Sequence, residues 1–398
     1  MRAAPQNFRE MRAAAKARLP RGVFEYIDRG SEDEKALDHN RAAFDALKIA
    51  PRMMRGGAPR SQGVEIFGQE FSSPMIVAPT AFAGLVWYKG ESELARAAKD
   101  AGIGFCAATE AITSIDEICG EAGGNIWFQL YLWQDSALSQ ALMEKAWSNG
   151  VRTLVVTVDT PVFAKREFNV RNGFTVPFRF SYPSVRDAAM RPGWLLNVFG
   201  RYMLKDGLPT FANYPPEYRQ DILNRNSAKK ILHEQDLNWN HIRELRAFWK
   251  GNLVLKGILR PDDAILAAEH GVDGIVVSNH GGRNLDSAVA PLDVLGRIVD
   301  ASGDRLVILS DSGVQRGSDL FKSLALGAKA VMVGRAFLYG MAMNGRQGAL
   351  QAFRILEDEL DRTMGLSGCK TIAEITGDLL LRVMDDRVHR QARTSCAT

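Results

Sequence analysis

The stretch SNHGGRNLD delivers His280 directly after an apolar, β-branched run, followed by two glycines and then Arg283. An imidazole titrates near neutral pH, so His280 at the rim of a pocket can take a proton from a substrate carbon or hydroxyl. Asp159, in TVDTP at the end of another apolar run, is the carboxylate that would orient the imidazole and stabilise its protonated form. Two arginines point to an anionic small molecule, because the planar guanidiniums of Arg283 and Arg166 can grip a carboxylate through paired donors. Taken alone, Arg166 in AKREF also suits an ordinary surface position. Of the six histidines, the other five, His39, His233, His241, His270 and His389, fall in expected helical or tail segments and read as surface or packing residues.

A second group of residues suits phosphate. LSDSG and VGR place glycine amides and Arg335 after the last two apolar runs, where barrels commonly hold a phosphate. With Lys256 ending an earlier run, the pattern fits a phosphorylated cofactor, either FMN or a pyridoxal phosphate held through the lysine. Pyridoxal chemistry needs a lysine amine free to form a Schiff base, whereas a flavin needs a fixed cation beside its ring. Residue types alone leave both open.

These groups must be held by something regular. Eight short apolar runs, PMIVAPT, IGFCAAT, IWFQLYL, TLVVTVD, NLVLKGI, GIVVSN, LVILSDS and AVMVGR, alternate with amphipathic stretches that often close on glycine. Eight strand-helix units predict an α/β fold of the (β/α)8 TIM-barrel type, although a doubly wound sheet shares the alternation. In a barrel the active site lies at the C-terminal strand ends. Those ends carry Thr80, Thr109, Gln129 with Tyr131, Thr157 with Asp159, Lys256, Asn279 with His280, Asp311 with Ser312, and Gly334 with Arg335.

The expected organisation is a single domain over 1–398: an N-terminal helical segment (1–60), a barrel (70–385) and an insertion (172–239) replacing the short connection after the fourth strand. Ser31 and Glu34 are spaced as a capping box. The opening MRAAPQNFREMRAAAKARLP resembles a presequence in composition, but Glu10 and unbroken helical periodicity up to Pro20 predict an ordinary first helix. Within the insertion, residues 188–210 mix Trp194, Leu195, Leu196, Val198, Phe199, Tyr202, Met203 and Leu204 with Arg191, Arg201 and Lys205, which suits either an interfacial helix or a lid or subunit contact. A net charge of +4 over 398 residues, without basic runs, argues against nucleic acid. Four widely spaced cysteines, Cys106, Cys119, Cys369 and Cys396, imply a reducing compartment, no disulfide framework and no structural metal. No apolar run reaches the ~18 residues that span a bilayer, and no secretory signal is expected. The location expected is the cytoplasm or the cytoplasmic face of a membrane.

SNHGGRNLD, FQLYLW, TVDTP, LVLKGI, LSDSG and MVGRA, in this order and within a match running from LPRGVFEYIDRGSEDE to MGLSGCKTIAEI, resemble the FMN-dependent L-2-hydroxy acid oxidase and dehydrogenase family. The resemblance implies FMN rather than pyridoxal phosphate. It implies that His280 removes a proton with Asp159 paired to it, and that Arg166 and Arg283 hold the substrate carboxylate with the hydroxyls of Tyr26 and Tyr131. A hydride route and a carbanion route both use this set. For the cofactor it implies the backbone of Pro79, Thr80 and Ala81 with Gln129, Thr157 and Ser278 around the ring, and Lys256 beside N1. Asp311, Ser312, Gly313, Gly334 and Arg335 would take the ribityl chain and phosphate. A homotetramer or other homo-oligomer is also implied.

Three departures matter. Ala108 replaces a Ser or Thr, leaving only a backbone contact. Gln315 replaces a basic residue of the phosphate loop, shifting charge to Arg335 and Arg316. Glu110, in CAATEAITS, stands where relatives place a bulky apolar side chain; if it faces the pocket it would favour a cationic or hydrogen-bonding substrate tail and disfavour a second anion, and if it faces solvent it carries no meaning. No haem domain precedes the barrel, and RPGW with DGLPTFANY resembles the membrane-associated mandelate and lactate dehydrogenases. A quinone or other carrier is therefore the expected electron acceptor, with oxygen, as in an oxidase or a lactate 2-monooxygenase, as the alternative.

Overall fold

The computed structural model describes residues 4–175, 178–179, 181–219 and 230–382 and closes eight parallel strands into one barrel. They are β1 (Met75–Val77), β2 (Gly104–Ala108), β3 (Ile126–Leu130), β4 (Thr153–Thr157), β5 (Asn252–Ile258), β6 (Gly274–Val277), β7 (Val307–Ser310) and β8 (Ala330–Val333). Pairing of Val331 with Met75 shuts the ring. Strands covered by helices outside and by side chains inside have no solvent face, which explains their continuous apolar sequences.

Side chains alternate between lumen and helix layer with period two. Ile76, Cys106, Trp127, Val155, Val254, Val276 and Leu309 fill the lumen, sealed at the bottom by Ile66 and Phe71 of a hairpin. Two residues further along each strand, the same inward direction yields Ala78, Ala108, Gln129, Thr157, Lys256, Ser278 and Asp311. Every site residue on these strands therefore sits directly above a plug of apolar core. The outer helices bury a second, larger apolar layer against the strands.

Three helices precede the barrel: α1 (Phe8–Arg18), α2 (Arg21–Asp28) and α3 (Lys35–Ala46). α1 is capped by the Asn7 side chain and buries Phe8, Met11 and Ala15. The capping box expected at Ser31 and Glu34 does not form. α3 starts at Lys35, Glu34 takes a left-handed φ of 65° and accepts from the Gly30 amide, and the Ser31 hydroxyl donates to the Asn284 carbonyl. Ser31 is recruited to hold the loop that carries His280. The first 60 residues are not all helical either, since Leu47–Ile49 pairs with Leu380–Arg382 in a small antiparallel sheet.

The insertion after β4 is amphipathic rather than apolar throughout. Trp194, Val198 and Tyr202 are buried; the Trp194 indole donates to the Leu85 carbonyl at 2.7 Å, and the Tyr202 hydroxyl accepts from the Lys89 amide. Leu196 (72%) and Leu204 (88%) are exposed, with Met203 beside them. Within residues 194–204 this second face is the one open to a membrane or partner. Cys106, Cys119 and Cys369 are free thiols, while Cys396 and His389 lie outside the described residues.

Candidate active site

His280 sits just past β6 with a left-handed φ of 60°, an unusual conformation for a residue with a Cβ. Its amide donates to the Ser278 hydroxyl at 3.0 Å, and its Nδ1 lies 3.1 Å from Asp159 Oδ1. With Asp159 ionised, Nδ1 carries the proton and Nε2 keeps its lone pair. Burial pushes the His280 pKa down, which Asp159 only partly offsets, so the imidazole is neutral at physiological pH. Burial alone would raise the Asp159 carboxyl, but its interaction with the His280 ring and the positive charge of Lys256 hold it below the usual range. Close approach of Asp159 depends on Gly257: at φ 115° its absent Cβ would lie 2.6 Å from that of Asp159. Gly282 works the same way, a Cβ there falling 2.6 Å from the Leu37 amide of α3.

Arg166 and Arg283 converge on the same cavity. Arg166 Nε donates to the Arg283 carbonyl at 3.1 Å, and Arg283 Nη1 donates to the carbonyls of Tyr26 and Arg29. Among the ion pairs of the described residues neither arginine has a carboxylate partner. Burial and the neighbouring Arg166 push the Arg283 pKa below its usual range. Tyr26 stacks its ring under the Arg283 guanidinium (5.0 Å), and burial raises the phenols of Tyr26 and Tyr131, so both remain O–H donors.

The cofactor set lines one cavity of about 480 Å³ that includes Pro79, Thr80, Ala81, Ala108, Gln129, Thr157, Lys256, Asp311, Ser312, Gly313, Gln315, Gly334 and Arg335. Gln129 is fixed, accepting from the Thr109 amide and donating to Thr157 Oγ1 at 3.0 Å. The Lys256 ammonium is fully buried, ion-paired with Asp311 at 2.9 Å and donating to Ser278. Burial would lower its pKa, but Asp311 and Asp159 outweigh that and raise it, so it is a permanent cation rather than a free amine. Ser278 is an exception among the expected cofactor residues: it lies behind Lys256 and does not line the cavity. A small-residue floor, a fixed amide, a permanent cation and an end built of Ser312 and Gly313 beside the N-terminus of the helix Arg335–Ser367 fit FMN. They do not suit a lysine Schiff base.

Two details of the phosphate end differ from expectation. Arg316 is turned to Glu359 at 3.1 Å and does not line the cavity. Arg41 of α3 does, donating to the Gly313 carbonyl and to Asp319. Arg335 gives one N–H from each nitrogen to the carbonyls of Ile27, Gly281 and Arg29 and keeps the second N–H of both terminal nitrogens.

Sequence reading missed the residues supplied by the insertion. The Asn213 amide donates to the Ala108 carbonyl at 3.1 Å, so even the backbone contact expected of Ala108 is already engaged. His233 is not in a helix: it forms an isolated bridge with Trp133 and stacks on the Tyr131 ring at 5.1 Å. Its Nε2 lies 3.6 Å from Glu110, which lines the cavity and whose carboxyl burial pushes up to about 7. No periodicity marks His233, because its environment is made by chain segments about 100 residues apart.

A (β/α)8 barrel with a neutral imidazole paired to a carboxylate, two guanidiniums and a cradle for a phosphorylated ring defines an oxidoreductase acting on a small organic acid. Over residues 15–382 the sequence matches the FMN-dependent dehydrogenase family model, and the chain belongs to that family. It is 36% identical to (S)-mandelate dehydrogenase of Pseudomonas putida over 374 residues, covering 94% of this chain and 93% of that one. It is also 36% identical to an L-lactate dehydrogenase of Azorhizobium caulinodans, covering 94% and 97%. Its fold is similar to a crystal structure of the monotopic membrane protein (S)-mandelate dehydrogenase (TM-score 0.89, 35% identity, covering 96% and 100%). A mandelate oxidase bound to (S)-mandelic acid is also similar, with TM-score 0.80 and 33% identity over 95% and 98% of the two chains. The protein is an FMN-dependent enzyme that oxidises an L-2-hydroxy acid to the 2-keto acid.

Proposed function

We propose that His280 is the base of this oxidation, that Asp159 holds and stabilises it, and that Arg166 and Arg283 with the hydroxyls of Tyr26 and Tyr131 anchor the substrate carboxylate. The observation that carries this reading is the pair of guanidiniums without carboxylate partners among the described residues, beside a neutral imidazole that lines the same cavity. Bound FMN would accept the two electrons that leave the substrate. Around it, Gln129, Thr157 and the backbone of 79–81 would hold the ring, and Lys256 would supply positive charge. Asp311, Ser312, Gly313, Gly334, Arg335 and Arg41 would hold the ribityl chain and phosphate. Oxidation of the substrate to the keto acid gives up two electrons and two protons, and His280 Nε2 takes one of these protons.

The test is anaerobic mixing of the flavin-loaded protein with a panel of L-2-hydroxy acids while flavin bleaching is followed. Failure of every acid to bleach it would sink the reading. Because burial depresses the His280 pKa, its basic form persists below the ordinary histidine value of 6.5. Activity is then lost only on the acid side, as pH falls through that depressed value. The acid limb of the kcat/KM profile is thus expected below 6.5, and a limb above it would contradict the assignment.

For the electrons we propose a quinone or other carrier, with the chain held peripherally on the cytoplasmic face of a membrane as a homotetramer or other homo-oligomer. Support comes from the exposed face of the insertion and from the similarity to a monotopic membrane protein. Among the described residues no helix is long and apolar enough to cross a membrane. Removing residues 188–210 would expose the barrel face beneath Trp194 and Tyr202, so the sharper variant changes only Leu196, Met203 and Leu204 to Ser. It is expected to lose most liposome flotation while keeping its melting temperature; unchanged flotation would reject the membrane contact. Peroxide formed as fast as substrate is consumed would favour oxygen as acceptor.

A further inference from the structure

His280, Arg166 and Arg283 account for the reacting carbon and the carboxylate of the acid, and any role for the rest of the cavity wall rests on that reading of theirs. The substrate's remaining substituent, its tail, has to lie along this wall, where Glu110 is an ionisable group without a part in the chemistry. Glu110 is poorly satisfied for a carboxylate at such a place. Its Oε1 is 3.5 Å from the Tyr214 hydroxyl and 3.6 Å from His233 Nε2, both longer than a good hydrogen bond to a carboxylate. His233 is equally short of partners. Its side chain is 10% exposed, its ring is stacked on Tyr131 and tilted against Phe163 at 5.2 Å, and its buried Nδ1 has no hydrogen-bond partner among the described residues. Tyr214 is buried against Trp133, which fixes where its hydroxyl can reach.

Buried polar groups are almost always paired, so a poorly satisfied carboxylate lining the cavity marks a place for a ligand's polar atom; Glu110 lines it, and His233 and Tyr214 reach Glu110 from outside that lining. An apolar tail would leave the carboxylate desolvated and poorly satisfied, whereas a donor on the tail could approach Glu110 more closely than either of these neighbours does. We propose that Glu110, His233 and Tyr214 form a side-chain subsite that reads a hydrogen-bond donor, a hydroxyl or N–H, on the tail of the 2-hydroxy acid.

Matched substrate pairs test this: L-glycerate against L-2-hydroxybutanoate, and (S)-4-hydroxymandelate against (S)-mandelate. In the natural protein at least one hydroxylated member is expected to exceed its hydrocarbon match in kcat/KM by about 10- to 100-fold, the range of one hydrogen bond to a charged group. Glu110→Leu should erase or invert that ratio. His233→Phe, which keeps the stacking on Tyr131 but removes both nitrogens, should reduce it. Because the ratio is taken within one variant, differences in folding or flavin loading cancel. Preference for the hydrocarbon member of both pairs in the natural protein, or ratios unmoved in both variants, would overturn the subsite while leaving the hydroxy-acid reading intact. If none of the acids bleaches the flavin, it is the underlying reading that fails, and the subsite with it.

Discussion

Replacing His280 by Asn is expected to lower the rate of flavin reduction by roughly 10²- to 10⁴-fold, the usual worth of a positioned general base. KM should move by only a few-fold, because the carboxylate anchor is untouched. Asn is the informative substitution for two reasons. It tolerates the left-handed backbone that His280 adopts at φ 60° better than most residues do. Its amide can also still donate toward Asp159, sparing that buried carboxylate a lost partner; one of its oxygens, Oδ2, already has none among the described residues. What the variant loses is the lone pair on Nε2. Rapid-mixing measurement of bleaching separates this step from reoxidation, and a loss below ten-fold would mean that the proton leaves by another route. Flavin content and melting temperature close to those of the unaltered protein would place the loss in the chemistry rather than in the fold.

Most of the chemistry on the strands was legible from sequence because period two does the placing. Trp127 and Gln129, Val254 and Lys256, and Leu309 and Asp311 are each an apolar lumen residue followed, two positions on, by a polar one above it. An apolar run that ends in one polar group therefore identifies both the strand and the residue facing the cavity. The loops obey no such rule. Ser31 looked like a helix cap because its spacing to Glu34 is right, yet its hydroxyl is used 253 residues away on Asn284. His233 looked like packing because nothing in its neighbourhood in sequence suggests Tyr131 or Glu110. Arg316 and Arg41 traded places for a similar reason: Glu359, which captures Arg316, lies on a helix that only the closed barrel brings near. The insertion's apolar residues were visible in sequence, but their division into a buried and an exposed face depends on the surface under Trp194.

Replacing Arg283 by Lys is expected to cost about 3–4 kcal/mol of transition-state stabilisation, roughly 10²- to 10³-fold in kcat/KM, because a buried charged anchor loses its paired geometry. A lysine keeps the charge but presents a single ammonium, which cannot reach the carbonyls of Tyr26 and Arg29 and also grip a carboxylate with two parallel donors. The electrostatics sharpen the prediction. Burial and Arg166 already push the pKa of the natural guanidinium down, and a lysine in the same position starts from a lower intrinsic value and meets the same desolvation. It would lose its proton within the accessible range, so the variant's kcat/KM should fall as pH rises above neutrality, whereas the natural arginine stays cationic there. The variant should thus show a basic limb that the natural protein lacks in this range, together with an increased KM. A parallel drop at every pH, with KM unchanged, would move Arg283 from substrate anchor to scaffold and leave Arg166 to hold the carboxylate alone.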